Sequence, residues 1–291
     1  MITRPIPSSG EALPVVGLGT YLNFDVVPES AAYGALPAVL DALFAADGTV
    51  IDSSPMYGRA EATTGELLAA RAPRPPAFLA TKVWTTGRDA GRAQMETSFR
   101  LLRTERIDLM QIHNLVDWRT HLPTLREWKA QGRVRYVGLT HYTASAYPEV
   151  EAALRAERFD FLQINYALDD RAAEARVLPL AQERGVAVLV NMPFGGGGLL
   201  RRLRDRALPP WAGAAGFSSW AQLALAFVLA HPAVTCVIPG TGTPRYMTEN
   251  AAVGSRPPLT ATQRASLIAD AGQALGLLVP LRASYRKHPH I

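Results

Sequence analysis

Short apolar runs alternate with longer segments of helical period along this chain, and eight of these runs have the length and composition of strands. They cover residues 13–18, 49–51, 77–81, 107–112, 134–139, 159–164, 186–190 and 234–238. Several are apolar throughout, as in 186–190, which is typical of strands buried on both faces. The pattern therefore predicts eight core strands.

Segments of helical period fill most of the gaps between these strands. Helices are predicted over 28–45 with Ser30 as N-cap, over 90–102, 122–130, 145–157 and 171–184, after Ser219, and from Thr260 or Thr262. The regular alternation favours parallel strands joined by helices. Neither G-x-G-x-x-G nor G-x-x-x-x-G-K-[ST] occurs, which argues against a Rossmann or P-loop sheet. We therefore expect a single (β/α)8 domain over 1–291.

The composition narrows the class of protein. The chain has 291 residues, of which 48% are hydrophobic and 19% charged. Its one cysteine, Cys236, excludes an internal disulfide and a cysteine-based zinc site, and it fits a reducing compartment. The longest apolar stretch, 223–230, is far too short to cross a bilayer, and the N-terminus has no signal-peptide pattern. A cytoplasmic protein with no membrane partner is expected.

The formal net charge of +5 does not indicate nucleic-acid binding, because the arginines are scattered. The one dense cluster, 201–206, has no interleaved aromatic residues and is interpreted as a solvated loop.

Polar residues end several of the predicted strands, where a barrel of this type carries its chemistry. Asp52, Lys82 and His113 follow the second, third and fourth strands and are 30 and 31 residues apart, which places them on one rim. A buried lysine needs a partner to remain charged, and Asp52 is the candidate. Tyr57 lies five residues after Asp52. A nearby ammonium would lower the pKa of its phenol from about 10, as suits a general acid.

Three of these residues also have a structural interpretation: Asp52 as a helix N-cap, His113 as a core residue and Tyr57 as a packed loop residue. A metal site on Asp52 and His113 is not expected, because the Lys82 ammonium would oppose a cation and H-E-x-x-H is absent.

Several segments together resemble the signatures of the aldo-keto reductase family. They are Asp52-Ser53-Ser54-Pro55-Met56-Tyr57-Gly58 followed by Glu61 and Gly65, then Ala80-Thr81-Lys82, 107–113, Arg135-Tyr136-Val137-Gly138, and Ile238-Pro239-Gly240 with Glu249-Asn250. The resemblance covers nearly the whole chain in order. It implies a (β/α)8 barrel with a short N-terminal β-hairpin and a C-terminal helix and tail.

The resemblance also implies NAD(P)H-dependent reduction of an aldehyde or ketone, with a catalytic tetrad of Asp52, Tyr57, Lys82 and His113. Tyr57 would donate the proton, Lys82 with Asp52 would lower its pKa, and His113 would orient the carbonyl. The cofactor-binding residues implied in the first two thirds of the chain are Gly19, Thr20, Tyr21, Asp52, Thr140, His141, Gln163, Asn191, Met192, Pro193, Phe194 and Gly195. The adenosine-side residues are Gly240, Thr241, Gly242, Thr243, Arg245, Glu249 and Asn250.

The chain departs from the family pattern in three places. Thr140-His141 replaces the usual Ser-Asn, and 191–194 lacks the aromatic residue that stacks on the nicotinamide, so that partner is lost or displaced. The glycines 195–198 form either a flexible linker or a loop whose N–H groups approach the pyrophosphate. The lysine and arginine common near 241–246 are missing, with Arg245 as a substitute. NADP(H) is favoured, with NAD(H) as the alternative.

The sequence gives fewer indications of the substrate site than of the cofactor site. Tyr21, Trp84 and Trp118, with His113, are expected to line an aromatic mouth for a small carbonyl or alcohol, next to a tail beyond Leu275. Two other functions stay open: a cofactor-binding regulatory subunit, and a dehydrogenase that oxidises a sugar or secondary alcohol. The barrel is complete without a partner, so a monomer is expected.

Overall fold

A computed structural model describes residues 1–276. The strands are β1 (Thr3–Pro5), β2 (Ala12–Pro14), β3 (Leu18–Gly19), β4 (Val50–Asp52), β5 (Phe78–Val83), β6 (Ile107–His113), β7 (Val134–Thr140), β8 (Phe161–Asn165), β9 (Ala187–Asn191) and β10 (Val234–Val237). The helices are α1 (Ala31–Ala45), α2 (Ala60–Ala69), α3 (Arg88–Leu102), α4 (Trp118–Ala130), α5 (Tyr147–Ala156), α6 (Val177–Glu183), α7 (Gly198–Leu203), α8 (Trp220–Leu229), α9 (Pro244–Val253) and α10 (Ala261–Ala274). The predicted C-terminal tail, with Tyr285, Arg286, His288 and His290, lies outside the described residues.

Eight parallel strands form the barrel, as the sequence predicts. β3 to β10 pair in chain order, and bridges from Val16 to Val237 and from Gly19 to Gly240 close the first strand on the last. A Cβ on Gly19 would lie 2.9 Å from the carbonyl oxygen of Ile238. The glycine is therefore needed for the close approach of the two strands at this seam.

Alternation along the strands separates an apolar layer from a polar one inside the barrel. The inner apolar cluster includes Phe78 and Ala80 on β5, Leu109 on β6 and Phe161 on β8. The next positions at the same two-residue spacing are polar and buried, namely Asp52, Lys82, Gln111, His113, Thr140 and Gln163. Polar chemistry is thus collected at the carboxyl ends of the strands, where barrels of this class place it.

The hairpin of β1 and β2 covers the opposite end of the barrel. The two strands are antiparallel, with Arg4 opposite Leu13, and Ile6 and Leu13 belong to the inner apolar cluster. Below them Arg135 pairs with Asp108 at 2.8 Å and contacts Glu11, which joins the hairpin to the barrel strands. The implied N-terminal hairpin is confirmed.

Local sequence signals predicted the start of helix α1 correctly, but the strand predicted before it differs from β3. Ser30 caps α1 by accepting a hydrogen bond from the Tyr33 N–H at 3.1 Å, as predicted. The predicted strand 13–18 is wrong as a single element, because its first part pairs with β1 and only its last residue enters the barrel strand Leu18–Gly19.

Several other helix boundaries differ from the prediction. Helix α4 begins at Trp118 instead of residue 122, and 171–184 divides into a short 3₁₀ turn and α6. Helices α2, α7 and α9 were not predicted. Tertiary contacts stabilise α2 despite Thr63, Thr64 and Gly65, and a Cβ on Gly65 would collide with the Leu101 carbonyl. Part of the arginine cluster, interpreted as a loop, lies in α7.

No helix within residues 1–276 is both long and apolar enough to cross a bilayer.

Candidate active site

The Lys82 side chain is completely buried and is held by two acceptors. Its Nζ lies 2.7 Å from Asp52 Oδ2 and 2.6 Å from the carbonyl oxygen of Ser53. Burial by itself would lower the pKa of the Lys82 ammonium, but the Asp52 carboxylate and Tyr57 outweigh it and raise this pKa. An ammonium carries three protons, so one remains after these two bonds. The Tyr57 ring is the next neighbour, with its centroid 4.9 Å from Nζ.

Tyr57 lies in the short loop between β4 and α2. Its N–H donates to the Ser54 carbonyl at 3.0 Å, and the following Gly58 has φ of +57°. A Cβ on Gly58 would collide with the carboxylate of Asp25, which accepts a hydrogen bond from the Arg59 N–H at 2.9 Å. The turn therefore requires glycine at this position, and it keeps the tyrosine next to the ion pair.

The net direction of the Tyr57 pKa is opposite to the one expected from sequence. Burial raises the pKa of the phenol, and the nearby Lys82 ammonium opposes that increase without cancelling it. The expectation considered the ammonium and omitted the desolvation of the phenolate. The phenol is accordingly protonated at neutral pH, as an acid that donates a proton has to be.

His113 ends β6 beside the tyrosine, with ring centroids 5.9 Å apart and the rings nearly perpendicular. Burial, followed by the charges of Lys82 and His141, lowers the pKa of His113 to about 3. The imidazole is therefore neutral at working pH, and its Nδ1 lies 3.1 Å from the Ser54 hydroxyl.

Two buried glutamines hold the second oxygen of the Asp52 carboxylate. Its Oδ1 accepts hydrogen bonds from Gln111 Nε2 at 3.0 Å and from Gln163 Nε2 at 2.8 Å, and Gln163 Nε2 also donates to Gln111 Oε1 at 3.2 Å. Sequence reasoning named Gln163 and missed Gln111. A signal was present, because Gln111 is polar, lies within an apolar strand and precedes His113 by two residues, so both point inward.

Around these groups lie the residues expected at the nicotinamide end. The Thr20 hydroxyl is 3.0 Å from both the Asp52 carbonyl oxygen and the Ser53 hydroxyl, so it supports the ion-pair segment. Thr140 donates to Gln163 Oε1 at 3.3 Å. Asn191 donates to the His141 carbonyl at 3.1 Å, and its own Oδ1 is buried with no hydrogen-bond partner among the described residues.

The segment after β9 has the backbone of a specific loop. Met192 is exposed with φ of +49°, Pro193 is buried, and Phe194 packs partly against the core. Gly195, Gly196 and Gly197 have φ of +56°, +62° and +83°, the region that favours glycine. A defined path of this kind supports the interpretation as a built loop over that of a flexible linker.

The adenosine-side residues lie in the turn before α9 and in the helix itself. Thr243 N–H donates to the Thr241 hydroxyl at 3.1 Å, and Gly242 is close to Asn23. Arg245 pairs with Glu249 at 2.8 Å one helical turn away, while Asn250 is buried in the helix. Gly240 packs against Gly19 at the barrel seam, so both glycines have a structural role.

Only part of the expected aromatic mouth forms. Tyr21 packs on Tyr57 with ring centroids 4.9 Å apart, and Trp84 lies 6.4 Å from His113. Trp118 is buried in α4, where its ring contacts Phe159 and Arg119. Within residues 1–276 the ring contacts of Trp118 do not include Tyr57 or His113. Trp118 is the first residue of α4, and its side chain packs in the core instead of lining the mouth.

Residues 15–269 match the model of the Aldo/keto reductase family. The chain belongs to that family. It is 30% identical over 263 residues to methylglyoxal reductase YeaE of Escherichia coli, covering 87% of this chain and 90% of the relative. It is 29% identical over 257 residues to the aldo-keto reductase str7 of Strobilurus tenacellus, covering 75% of each chain.

Solved structures of aldo-keto reductases share this architecture. An aldo/keto reductase from Klebsiella pneumoniae in complex with NADP and acetate superposes with a TM-score of 0.78 at 26% identity, covering 92% of this chain and 94% of that one. An aldo-keto reductase from the same organism in complex with NADPH gives a TM-score of 0.78 at 27% identity. This aldo/keto reductase is therefore an oxidoreductase with the (β/α)8 fold.

Proposed function

We propose that this aldo/keto reductase reduces an aldehyde or ketone to an alcohol with NADP(H) as the hydride donor. The observation that carries the proposal is the buried Lys82–Asp52 pair at 2.7 Å, directly beside a protonated Tyr57 and a neutral His113. Carbonyl reduction requires a proton donor, a charge that stabilises its anion, and a group that orients the carbonyl. Tyr57, the Lys82–Asp52 pair and His113 would supply these three functions on one barrel rim.

The rim has features that fit a nicotinamide dinucleotide. The unpartnered Asn191 Oδ1 is an acceptor suited to a carboxamide N–H, and the glycines 195–197 have no side chains of their own to keep a phosphate away from their N–H groups. The turn before α9, with Thr241 and the guanidinium of Arg245, would hold the 2′-phosphate. A bound nicotinamide cofactor would supply the hydride, while the protein supplies position and the proton.

In the reduction, Tyr57 donates its phenolic proton to the oxygen that becomes the alcohol. The tyrosinate that results lies next to the Lys82 ammonium, which stabilises it at the moment the charge forms. Asp52 keeps that ammonium in place, and Gln111 and Gln163 keep Asp52 in place. His113 hydrogen-bonds the carbonyl oxygen and sets its direction relative to Tyr57. Oxidation of the alcohol is the same path in reverse.

We also propose a domain organisation, an oligomeric state and a cellular compartment for the enzyme. The chain is expected to form one domain over 1–291, to act as a monomer in the cytoplasm and to take a small carbonyl substrate. Cys236 is free and buried, in keeping with a reducing compartment. Analytical ultracentrifugation would test the monomer, and a sedimentation coefficient of a dimer would contradict it.

Fluorescence titration with NADPH and NADH, followed by turnover of an aldehyde panel that includes methylglyoxal, tests the function. Tighter binding of NADPH together with aldehyde reduction supports the proposal. Binding without turnover of any carbonyl or alcohol would instead indicate a cofactor-binding regulatory subunit. Preference for NADH and oxidation of a sugar or secondary alcohol would indicate a dehydrogenase.

A further inference from the structure

Ser54 is the one protein group that hydrogen-bonds the His113 ring among the described residues. It is fully buried, and its hydroxyl oxygen lies 3.1 Å from His113 Nδ1. The His113 imidazole is neutral, so one of its two ring nitrogens carries a proton and the other does not. A carbonyl oxygen only accepts hydrogen bonds, so the nitrogen that faces the substrate has to be an N–H. The tautomer of His113 therefore decides whether it can orient a carbonyl.

The contacts of Ser54 fix the direction of this hydrogen bond. The Met56 N–H approaches the Ser54 oxygen at 3.4 Å as a donor, which leaves His113 Nδ1 as the acceptor available to the hydroxyl proton within residues 1–276. If Nδ1 carried the proton instead, the buried hydroxyl of Ser54 would keep a proton with no acceptor. Leaving a buried donor unsatisfied costs free energy, so the arrangement with Ser54 as donor is favoured.

We propose that Ser54 is a positioning residue that donates its hydroxyl proton to His113 Nδ1 and so holds the imidazole as the Nε2–H tautomer. This inference rests on the proposed function for its consequence and on the geometry for the tautomer. The Nε2–H group is then the donor that meets the substrate oxygen, opposite the proton of Tyr57. The segment 52–57 thus carries the ion-pair partner of Lys82, the acid and the residue that orients the histidine.

A neighbouring serine offers a matched control. Ser53 is also buried, and its hydroxyl contacts Thr20 and makes no hydrogen bond to His113. Ser53→Ala removes the same group from the same loop and is expected to leave the tautomer of His113 unchanged. Ser54→Thr retains a hydroxyl and is expected to retain the Nε2–H form.

The test is long-range proton–nitrogen NMR of the free protein with nitrogen-15 in its histidines, using His113→Gln to assign the His113 signals. We expect Nε2–H for the wild type and a mixture or the Nδ1–H form for Ser54→Ala. The kcat/KM of Ser54→Ala for an aldehyde should fall about three- to tenfold, the effect of one buried hydrogen bond, while the Kd of NADPH stays unchanged.

Two outcomes would overturn the inference: Nδ1–H in the wild-type protein, or an unchanged Nε2–H signal and an unchanged kcat/KM in Ser54→Ala. The NMR measurement needs neither cofactor nor turnover. A protein that reduced no carbonyl would still report its tautomer, so failure of the proposed function is distinguishable from failure of this inference.

Discussion

Two ion pairs in the candidate site have almost the same length and very different surroundings. Lys82 and Asp52 are 2.7 Å apart with side chains 0% and 3% exposed, whereas Arg245 and Glu249 are 2.8 Å apart with side chains 81% and 29% exposed. Water and salt screen the second pair and hardly reach the first. The comparison shows that burial decides which pair can influence chemistry, because the two distances do not distinguish them.

The largest expected effect is on kcat, and it comes from removing the hydroxyl of Tyr57, the acid beside the buried Lys82–Asp52 pair. Tyr57→Phe removes the proton donor and should lower kcat about 10²- to 10⁴-fold, while the Kd of NADPH is unchanged. Steady-state kinetics and a fluorescence titration measure the two quantities. Tyr33→Phe, on α1 and away from the site, is the control. Wild-type turnover by the Tyr57 variant would show that another group donates the proton.

Breaking each ion pair tests the comparison directly. Lys82→Met leaves the Asp52 carboxylate buried without its partner, which should lower the free energy of unfolding by about 3–5 kcal/mol. Arg245→Met should leave the free energy of unfolding unchanged, because its pair is exposed. Urea unfolding of both variants measures the difference. Equal losses in the two variants would contradict the role assigned to burial.

The same lysine variant should change the pH dependence of reduction. Reduction needs protonated Tyr57, so the rate falls as pH rises through the pKa of that phenol. The Lys82 ammonium holds this pKa below the value that burial alone would give. In Lys82→Met the alkaline fall should therefore move to higher pH, and kcat should drop. A pH–rate profile with an unmoved alkaline limb would refute the coupling between Lys82 and Tyr57.

The titration of His113 should have a smaller effect, on the pH dependence of the free energy of unfolding. Its pKa is lowered from 6.5 to about 3 in the folded protein, so only the unfolded chain takes up a proton as pH falls below 6.5. Between pH 8 and pH 5 the wild type should lose at most about 2 kcal/mol more unfolding free energy than His113→Gln. Urea titrations at the two pH values test this, and identical losses would mean that His113 titrates normally.

The smallest expected effect is on cofactor affinity, and it concerns Arg245 of the exposed ion pair. If its guanidinium contacts a 2′-phosphate, Arg245→Met should raise the Kd of NADPH about two- to fivefold and leave that of NADH unchanged. The difference should shrink at high salt, because the guanidinium is exposed. Equal weakening of both cofactors would remove Arg245 from the phosphate site.

Much of the fold and part of the site were predictable from local patterns. Apolar strand runs placed β4 to β10 within a few residues, and the polar residues that end them, Asp52, Lys82 and His113, do lie on one rim. Helix α9 escaped prediction although Pro244 opens it, a position that favours helix starts. A local signal for the start of this helix was therefore present in the sequence.

Other features depended on neighbours distant in sequence. Ser54 looks ordinary in its own segment, and the arrangement of β4, β5 and β6 brings it to His113 and brings Gln111 to Asp52. The direction of the Tyr57 pKa was wrong from sequence, because the degree of burial is a property of the assembled rim. Trp118 was expected at the mouth and lies in the core. This expectation was wrong for the same reason, because burial depends on the assembled structure.

The sequence by itself determined the eightfold alternation of strand and helix and the common rim of Asp52, Lys82 and His113, since period and spacing act within one repeat. The tertiary structure decided which polar groups share hydrogen bonds and how strongly each charge is screened. Those properties depend on distances across strands and on exclusion of water, and neither is encoded in a single segment.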